Sequence, residues 1–461
     1  MAPPAPSRQA ARARTALLRA AREVFEAKGY ANARVEDITD AAQYAVGSFY
    51  TYFESKEDAF REVMGQLGTD VAARPPGQDA SGDSPAAHDL RSLERRIQHA
   101  NQRYYRAFTA EGRLWAVVEE AALRHPGPRA MIRDRWRRYW DATAAALAPW
   151  RDAGVIGPDV DVLGTVTALS AMTEWIISLR RGYGFTAPRP IAIPDLTPVW
   201  LRALGAGRRP PAPGSRAAGP APGVAPAPGP APAAGAAPAS GVAPIPVTDL
   251  VGSQPDASPD EAAPATTRER LIAAGRTELS RRGIGDVPIS DIAGTAGVSV
   301  GSFYTYFPSK SDLVAALLDE SPGLLYATPA DVLAGAGERV EAGDDVAGAA
   351  LALIRAHLAA VAANEGLWRS VVEAALTEPL IRAVVNEQRQ AWMLALAALF
   401  ARWQATGAVD AGLDVDLAGG CLGALTERTT HLWVVLGDAP PADEGAIQLR
   451  DCWWRLLAPA P

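Results

Sequence analysis

The stretch VGSFYTYF, Val46 to Phe53, returns unchanged at Val300 to Phe307, 254 residues later. The match runs on as VGSFYTYFxSKxD, Val46 to Asp58 and Val300 to Asp312, with 11 of 13 positions identical. Further echoes sit at an offset of 253. Leu114-Trp115 pairs with Leu367-Trp368, Pro126 with Pro379, Trp150 with Trp403, Gly154 with Gly407, and Trp200-x-Arg202-x-Leu204 with Trp453-x-Arg455-x-Leu457. A register kept this well is a tandem duplication, each unit roughly 200 residues long.

Between the copies, from Gly207 to Pro264, the composition changes. This segment holds 15 of the 38 prolines, and between Pro210 and Val247 its only charge is Arg216. It lacks the large apolar residues that build a core, and reads as a polyproline-rich linker.

Inside each unit the apolar residues fall at helical spacing. Leu17, Leu18, Ala21, Val24 and Phe25 share one face before Gly29, and Leu271, Ile272, Gly275 and Leu279 share the matching face before Gly283. Val35, Ile38 and Ala42, with Ile289, Ile292 and Ala296, mark a short second helix in each copy. With no period-two run of β-branched residues, the predicted fold is all-α.

The short helix, the break and the octamer then read as a helix-turn-helix. Gly297 can take the left-handed conformation that ends a helix, Val298 can point inward, and Ser299 can cap the next helix. Gly301 and Ser302 keep that helix slim enough to approach base edges, and the hydroxyls of Tyr304 and Tyr306 can reach phosphates. Lys310 sits in the first turn of the following helix, where the helix dipole prefers an acid, and Lys56 holds the same place in the first copy. The chain has only three lysines, so the repeated position suggests an outside anion such as a DNA phosphate.

The amphipathic helix, then xxDIAxxAGVSxGSFYxYF, then SKxxL resembles the TetR/AcrR family of bacterial transcriptional regulators. The resemblance covers about Arg14 to Leu67 and Arg268 to Leu318. It implies two TetR-like units, each a three-helix DNA-binding head followed by a helical ligand-binding and dimerisation body. The expected division is 1–68 for the first head, 69–206 for its body, 207–264 for the linker, 265–320 for the second head and 321–461 for its body. The implied DNA-contacting residues are Val46, Gly47, Ser48, Phe49, Tyr50, Tyr52 and Lys56 in the first head. In the second they are Ser299, Val300, Gly301, Ser302, Phe303, Tyr304, Tyr306 and Lys310.

The first head departs from the pattern. Gln43-Tyr44-Ala45 stands where the second has Gly297-Val298-Ser299. A Gln at the left-handed position and the lost Ser cap each cost about 1 kcal/mol. This head is expected to be less stable or to read a different half-site.

The bodies are rich in tryptophan. Trp115, Trp140, Trp175, Trp368 and Trp392, with Glu120, Glu373, Glu427 and His431 as polar anchors, are candidates to line a cavity for a small apolar or aromatic ligand. The same residues also suit ordinary core. Val160 to Leu179 and Val415 to Leu436 are candidate pairing surfaces, either between the units of one chain as an intramolecular pseudo-dimer or in a homodimer.

Nothing points to catalysis. His88, His99, His125, His357 and His431 show no ligand spacing, so no metal is expected. No nucleophile elbow, P-loop or dinucleotide fingerprint appears, so no cofactor is expected. The net charge of −7 excludes a protein that coats nucleic acid with its whole surface, though not one with a local site. Two cysteines without a framework fit a reducing compartment, and no apolar run looks long enough for a membrane span. The expectation is a cytoplasmic, ligand-responsive repressor on a double-stranded operator. The alternative is a TetR-like protein that sequesters a small molecule or protein partner without binding DNA.

Overall fold

Every regular element among the described residues is a helix. The computed structural model describes residues 8–67, 88–181, 184–206, 266–320, 330–437 and 440–459. The proline-rich linker lies outside them.

The first head comprises α1 (Arg8–Asn32), α2 (Val35–Ala42), α3 (Val46–Phe49) and α4 (Lys56–Gln66), and its body α5 (Leu90–Ala110), α6 (Gly112–Arg124), α7 (Pro126–Asp152), α8 (Val162–Arg181) and α9 (Ile193–Ala203). The second head follows as α10 (Thr267–Arg282), α11 (Ile289–Thr295), α12 (Val300–Tyr306) and α13 (Lys310–Asp319). Its body is α14 (Ala330–Glu341), α15 (Val346–Ala363), α16 (Glu365–Thr377), α17 (Pro379–Ala405), α18 (Val415–Leu436) and α19 (Ala442–Leu457).

The apolar face of α1 buries Leu17, Leu18, Ala21 and Phe25 against Ile38 of α2, Phe49 of α3 and Phe60 of α4. Each Leu, Ile and Phe side chain among them contributes about 1.5–3 kcal/mol on leaving water. That suffices to hold helices as short as α3, which would not form alone. Gly29, at φ 75°, breaks the helical run of α1 where the sequence places the stop, and Gly283, at φ 80°, ends α10.

The repeat survives down to single hydrogen bonds. Trp200 Nε1 donates to Thr173 Oγ1 at 3.1 Å, and Trp453 Nε1 to Thr426 Oγ1 at 3.0 Å. Gly157 N donates to Leu204 O at 3.1 Å, and Asp410 N to Leu457 O at 3.0 Å. Arg129 closes α6 by donating to the Ala122 and Leu123 carbonyls, and Arg382 closes α16 on those of Ala375 and Leu376. All of these partners stand 253 residues apart.

The bodies pack on each other, with α8 against α18 and α9 against α19. Arg202 of α9 donates to Asp410 of the second unit at 2.6 Å, while its counterpart Arg455 of α19 donates to the carbonyl of Asp159 in the first at 3.1 Å. Counterpart helices meet each other across the seam, which marks a two-fold-like interface. The expectation about membrane spans needs correction, because α8 and α15 are each long and apolar enough to cross one. Here α8 is mostly buried between the bodies, and α15 packs on α14 and α19.

Candidate nucleic-acid interface

Each head presents its turn and third helix at the surface. The two turns share one hydrogen-bond pattern. Gln43 N donates to Asp40 O and Tyr44 N to Thr39 O, as Gly297 N does to Gly294 O and Val298 N to Ala293 O. The pattern demands a left-handed residue at its first position. Gly297 has φ 68°, and Gln43, with φ 59°, is the non-glycine residue at positive φ among the described residues. An L-residue with a long side chain is strained there.

The caps differ too. Ser299 Oγ accepts from Ser302 N at 3.1 Å, whereas Ala45 offers no side-chain cap. The outcome is visible in length: α12 has seven residues and α3 has four. Val298 packs against the core, while Tyr44 stays at the surface.

Along the octamer, exposure follows the helical period. Val46, Gly47, Tyr50 and Thr51, and Val300, Gly301, Tyr304 and Thr305, face out, as do Ser299 and Tyr306. Ser48, Ser302 and Tyr52 are half-buried. Tyr50 is 57% exposed and Tyr304 54%. Phe49 and Phe303 correct the expectation that they touch DNA. Both are fully buried, one turn from Phe53 and Phe307, and each meets its neighbour ring edge-on or tilted in the head core.

Lys56 and Lys310 are the second correction. Lys56 Nζ donates to the carbonyls of Tyr30 at 2.8 Å and Ala33 at 2.9 Å, and lies over the Tyr30 ring. Lys310 Nζ donates in the same way to Ile284 O and Val287 O. Partial burial lowers both ammonium pKa values. The cation in this unfavourable helix turn is explained by carbonyls inside the head, not by an outside anion.

The heads are tied to their bodies. Glu120 of α6 accepts from the backbone N–H groups of Tyr30 and Ala31, just past the Gly29 break. Arg135 of α7 donates to the carbonyls of Met64 and Leu67 at the end of α4. In the second unit Ser370 Oγ donates to Leu279 O, Gln388 to Leu318 O, and Ser311 Oγ to Glu378. Gly366 lies so close to Ser280 that a Cβ there would strike its carbonyl.

The expected ligand residues scatter. Glu120 is spent on the head, and Glu373 is paired with Arg124 of the other unit. Trp115 and Trp140 stack with Trp136 in the first core. His357 of α15 stacks on Trp392. Trp175, Trp368, Glu427 and His431 do come together with Arg389 and His357 around one small cavity at the seam between units, about 20 Å³ in volume, room for one water. A second cavity, about 30 Å³, lies within the first body beside Asn101, Tyr104, Tyr139 and Trp200. Asn101 Nδ2 and Tyr104 Oη are buried there without a hydrogen-bond partner. Neither residue stands out in the sequence, although each lies on the buried face of α5.

Comparison with known proteins gives a consistent outcome. Residues 17–63 and 271–317 both match the family described as bacterial regulatory proteins, tetR family. The chain is similar to the HTH-type transcriptional regulator EthR of Mycolicibacterium smegmatis, 24% identical over 191 residues that span 41% of this chain and 84% of that protein. It is 42% identical to the HTH-type transcriptional regulator TtgR of Pseudomonas putida over 53 residues, 12% of this chain and 25% of that protein. Among solved structures, the fatty acid degradation regulator FadR from Bacillus halodurans aligns with 42% of this chain and 96% of its own, at 20% identity and a TM-score of 0.35.

Proposed function

We propose that this chain, a tandem TetR-like protein whose two heads match the tetR family of bacterial regulatory proteins, regulates transcription by binding DNA with both recognition helices at once. The observation that carries this reading is the packing of each body on the other through counterpart helices, α8 on α18 and α9 on α19, with Arg202 reaching Asp410 and Arg455 reaching Asp159 across the seam, which holds two bodies, and so two heads, together. One covalent strand then supplies the pair of heads that reads two half-sites about 34 Å apart. Tyr50, Tyr304 and Tyr306 supply hydroxyls for phosphates, and Gly47 and Gly301 permit close approach to base edges. Because Gln43 and Ala45 shorten the first recognition helix, its operator is asymmetric.

The unpartnered polar atoms of Asn101 and Tyr104 support a small ligand in the first body, apolar or aromatic with one or two hydrogen-bonding groups. A ligand that widened this cavity would displace α5 and α7, which line it; both pack on α6, whose Glu120 holds Tyr30 and Ala31. Ligand and DNA then favour different head positions, and each weakens the other, as a repressor requires.

The test is a footprint on the DNA upstream of the chain's own gene, made with protein shown by sedimentation to be a single chain. Two unequal protected half-sites and an affinity that falls steeply with salt support the reading. An absence of protection at low salt rejects it in favour of a protein that sequesters a ligand or partner.

A further inference from the structure

The units correspond at a fixed offset, so the contacts each would make with a like partner follow from those it makes with the unlike one. The seam is held by a charge cluster of which the repeat shares a single position, Glu174 and Glu427. Arg428 of α18 is 2% exposed and pairs with Glu119 and Glu174 of the first unit. It lies over the indole of Trp175, 4.9 Å from the ring centroid. Arg389 of α17, 3% exposed, grips both carboxylate oxygens of Glu427 and also lies over Trp175. Counting 253 residues back, Arg428 corresponds to Trp175 itself, Arg389 to Trp136, and Glu427 to Glu174. Counting forward, Glu119 corresponds to Val372.

We infer that this asymmetric cluster is a pairing code, by which each unit accepts the other and rejects a second copy of itself. The inference rests on the single-chain reading of function and adds a reason why four-headed dimers built by pairing like units do not form. Two first units paired alike would bury Glu119 and Glu174 twice over, facing two copies of Trp175, with no guanidinium from this cluster. Two second units would bury Arg389 and Arg428 twice over against two copies of Glu427, and Arg428 would face Arg428. Only the unlike pair brings Arg428 between two carboxylates and sets an aromatic face under both guanidiniums. Uncompensated charge in a dry interface is costly, and unlike pairing is the arrangement that avoids it.

The test uses the full chain with a protease site placed between residues 207 and 264, cut after purification. Isotopically light and heavy preparations are mixed and followed by native mass spectrometry. The expected result is that every pair holds one first and one second unit, even after the labels have exchanged. Pairs of two first or two second units at statistical abundance overturn the inference while leaving the single-chain reading intact. An uncut chain that sediments as a dimer overturns that reading, and the inference too where the cut pairs hold like units; cut units that fall apart at once overturn both. Arg428→Glu is expected to weaken the association of the cut units by roughly 100-fold. Adding Glu174→Arg in the same chain restores most of it, and a double variant no tighter than the single one counts against the code. Glu119→Gln with Glu174→Gln is expected to let like pairs of first units appear, a gain that general loss of packing does not produce.

Discussion

The Nζ of Lys56 lies 2.8 Å from the carbonyl oxygen of Tyr30 and closes the loop between α1 and α2 from inside the head. Lys310 does the same for the second head. Removing a charged donor from two carbonyls costs about 1.5–3 kcal/mol. Lys56→Met and Lys310→Met are each expected to lower the unfolding free energy of their head by that amount, read from denaturant titrations. Neither changes the salt dependence of DNA affinity, since neither ammonium faces outward. A drop of about one in the salt slope for either variant identifies a phosphate contact and refutes this assignment.

These lysines mark the limit of what the sequence discloses. The repeat, the helical periods and the αL and cap chemistry of Gly297-Val298-Ser299 are local, so they are legible directly, and the strained Gln43 is found where the reading puts it. The destination of a long side chain is not local. Lys56 reaches residues 26 and 23 positions away, and Glu120 reaches 90. The aromatic face of the octamer is legible only in part, because Phe49 and Tyr50 are adjacent and the helix phase alone decides which is buried. At the seam, Glu174 and Arg428 are 254 residues apart, a distance at which only the folded chain pairs them.

The hydroxyls of Tyr50 and Tyr304 project from exposed helix faces, so their loss leaves the head core intact. Tyr304→Phe is expected to reduce operator affinity several-fold, the worth of about 1 kcal/mol for one hydrogen bond, at unchanged thermal stability. Tyr50→Phe reduces it less, because α3 is the shorter helix. By contrast Phe303→Ala empties a fully buried site and is expected to cost about 3–5 kcal/mol of stability. Filter-binding and thermal melts on the same samples separate the two classes. Equal affinity for Tyr304→Phe and the native chain removes this tyrosine from the interface.

Acid should unfold the bodies through buried histidine. Burial lowers the pKa of His357 to about 4, and both ring nitrogens lack a partner. The native protein therefore refuses a proton that the unfolded chain accepts below 6.5. The contribution is whole above pH 6.5 and is lost as pH falls toward 4. His431, also pushed down by burial, adds to it. Denaturant titrations from pH 4 to 8 are expected to show a flatter acid limb for His357→Phe than for the native chain. An unchanged limb refutes the assignment.

The first turn offers the most direct gain. Gln43 holds a left-handed conformation, and Ala45 leaves α3 without the side-chain cap that Ser299 gives α12. Gln43→Gly relieves the strain but loosens the unfolded chain, for a net gain of roughly 0.5–1 kcal/mol. Ala45→Ser adds a cap worth about 1 kcal/mol. The two changes act on neighbouring turns of backbone, so the double variant is expected to approach but not exceed their sum. Hydrogen exchange at Thr51 to Phe53 reports it directly, because extension of α3 toward the length of α12 protects those amides. If the first recognition helix is kept short for an asymmetric operator, the same double variant binds a symmetric repeat of the second unit's half-site more tightly than the native chain does. Protection gained without any shift in half-site preference would separate the stability of this head from its choice of sequence.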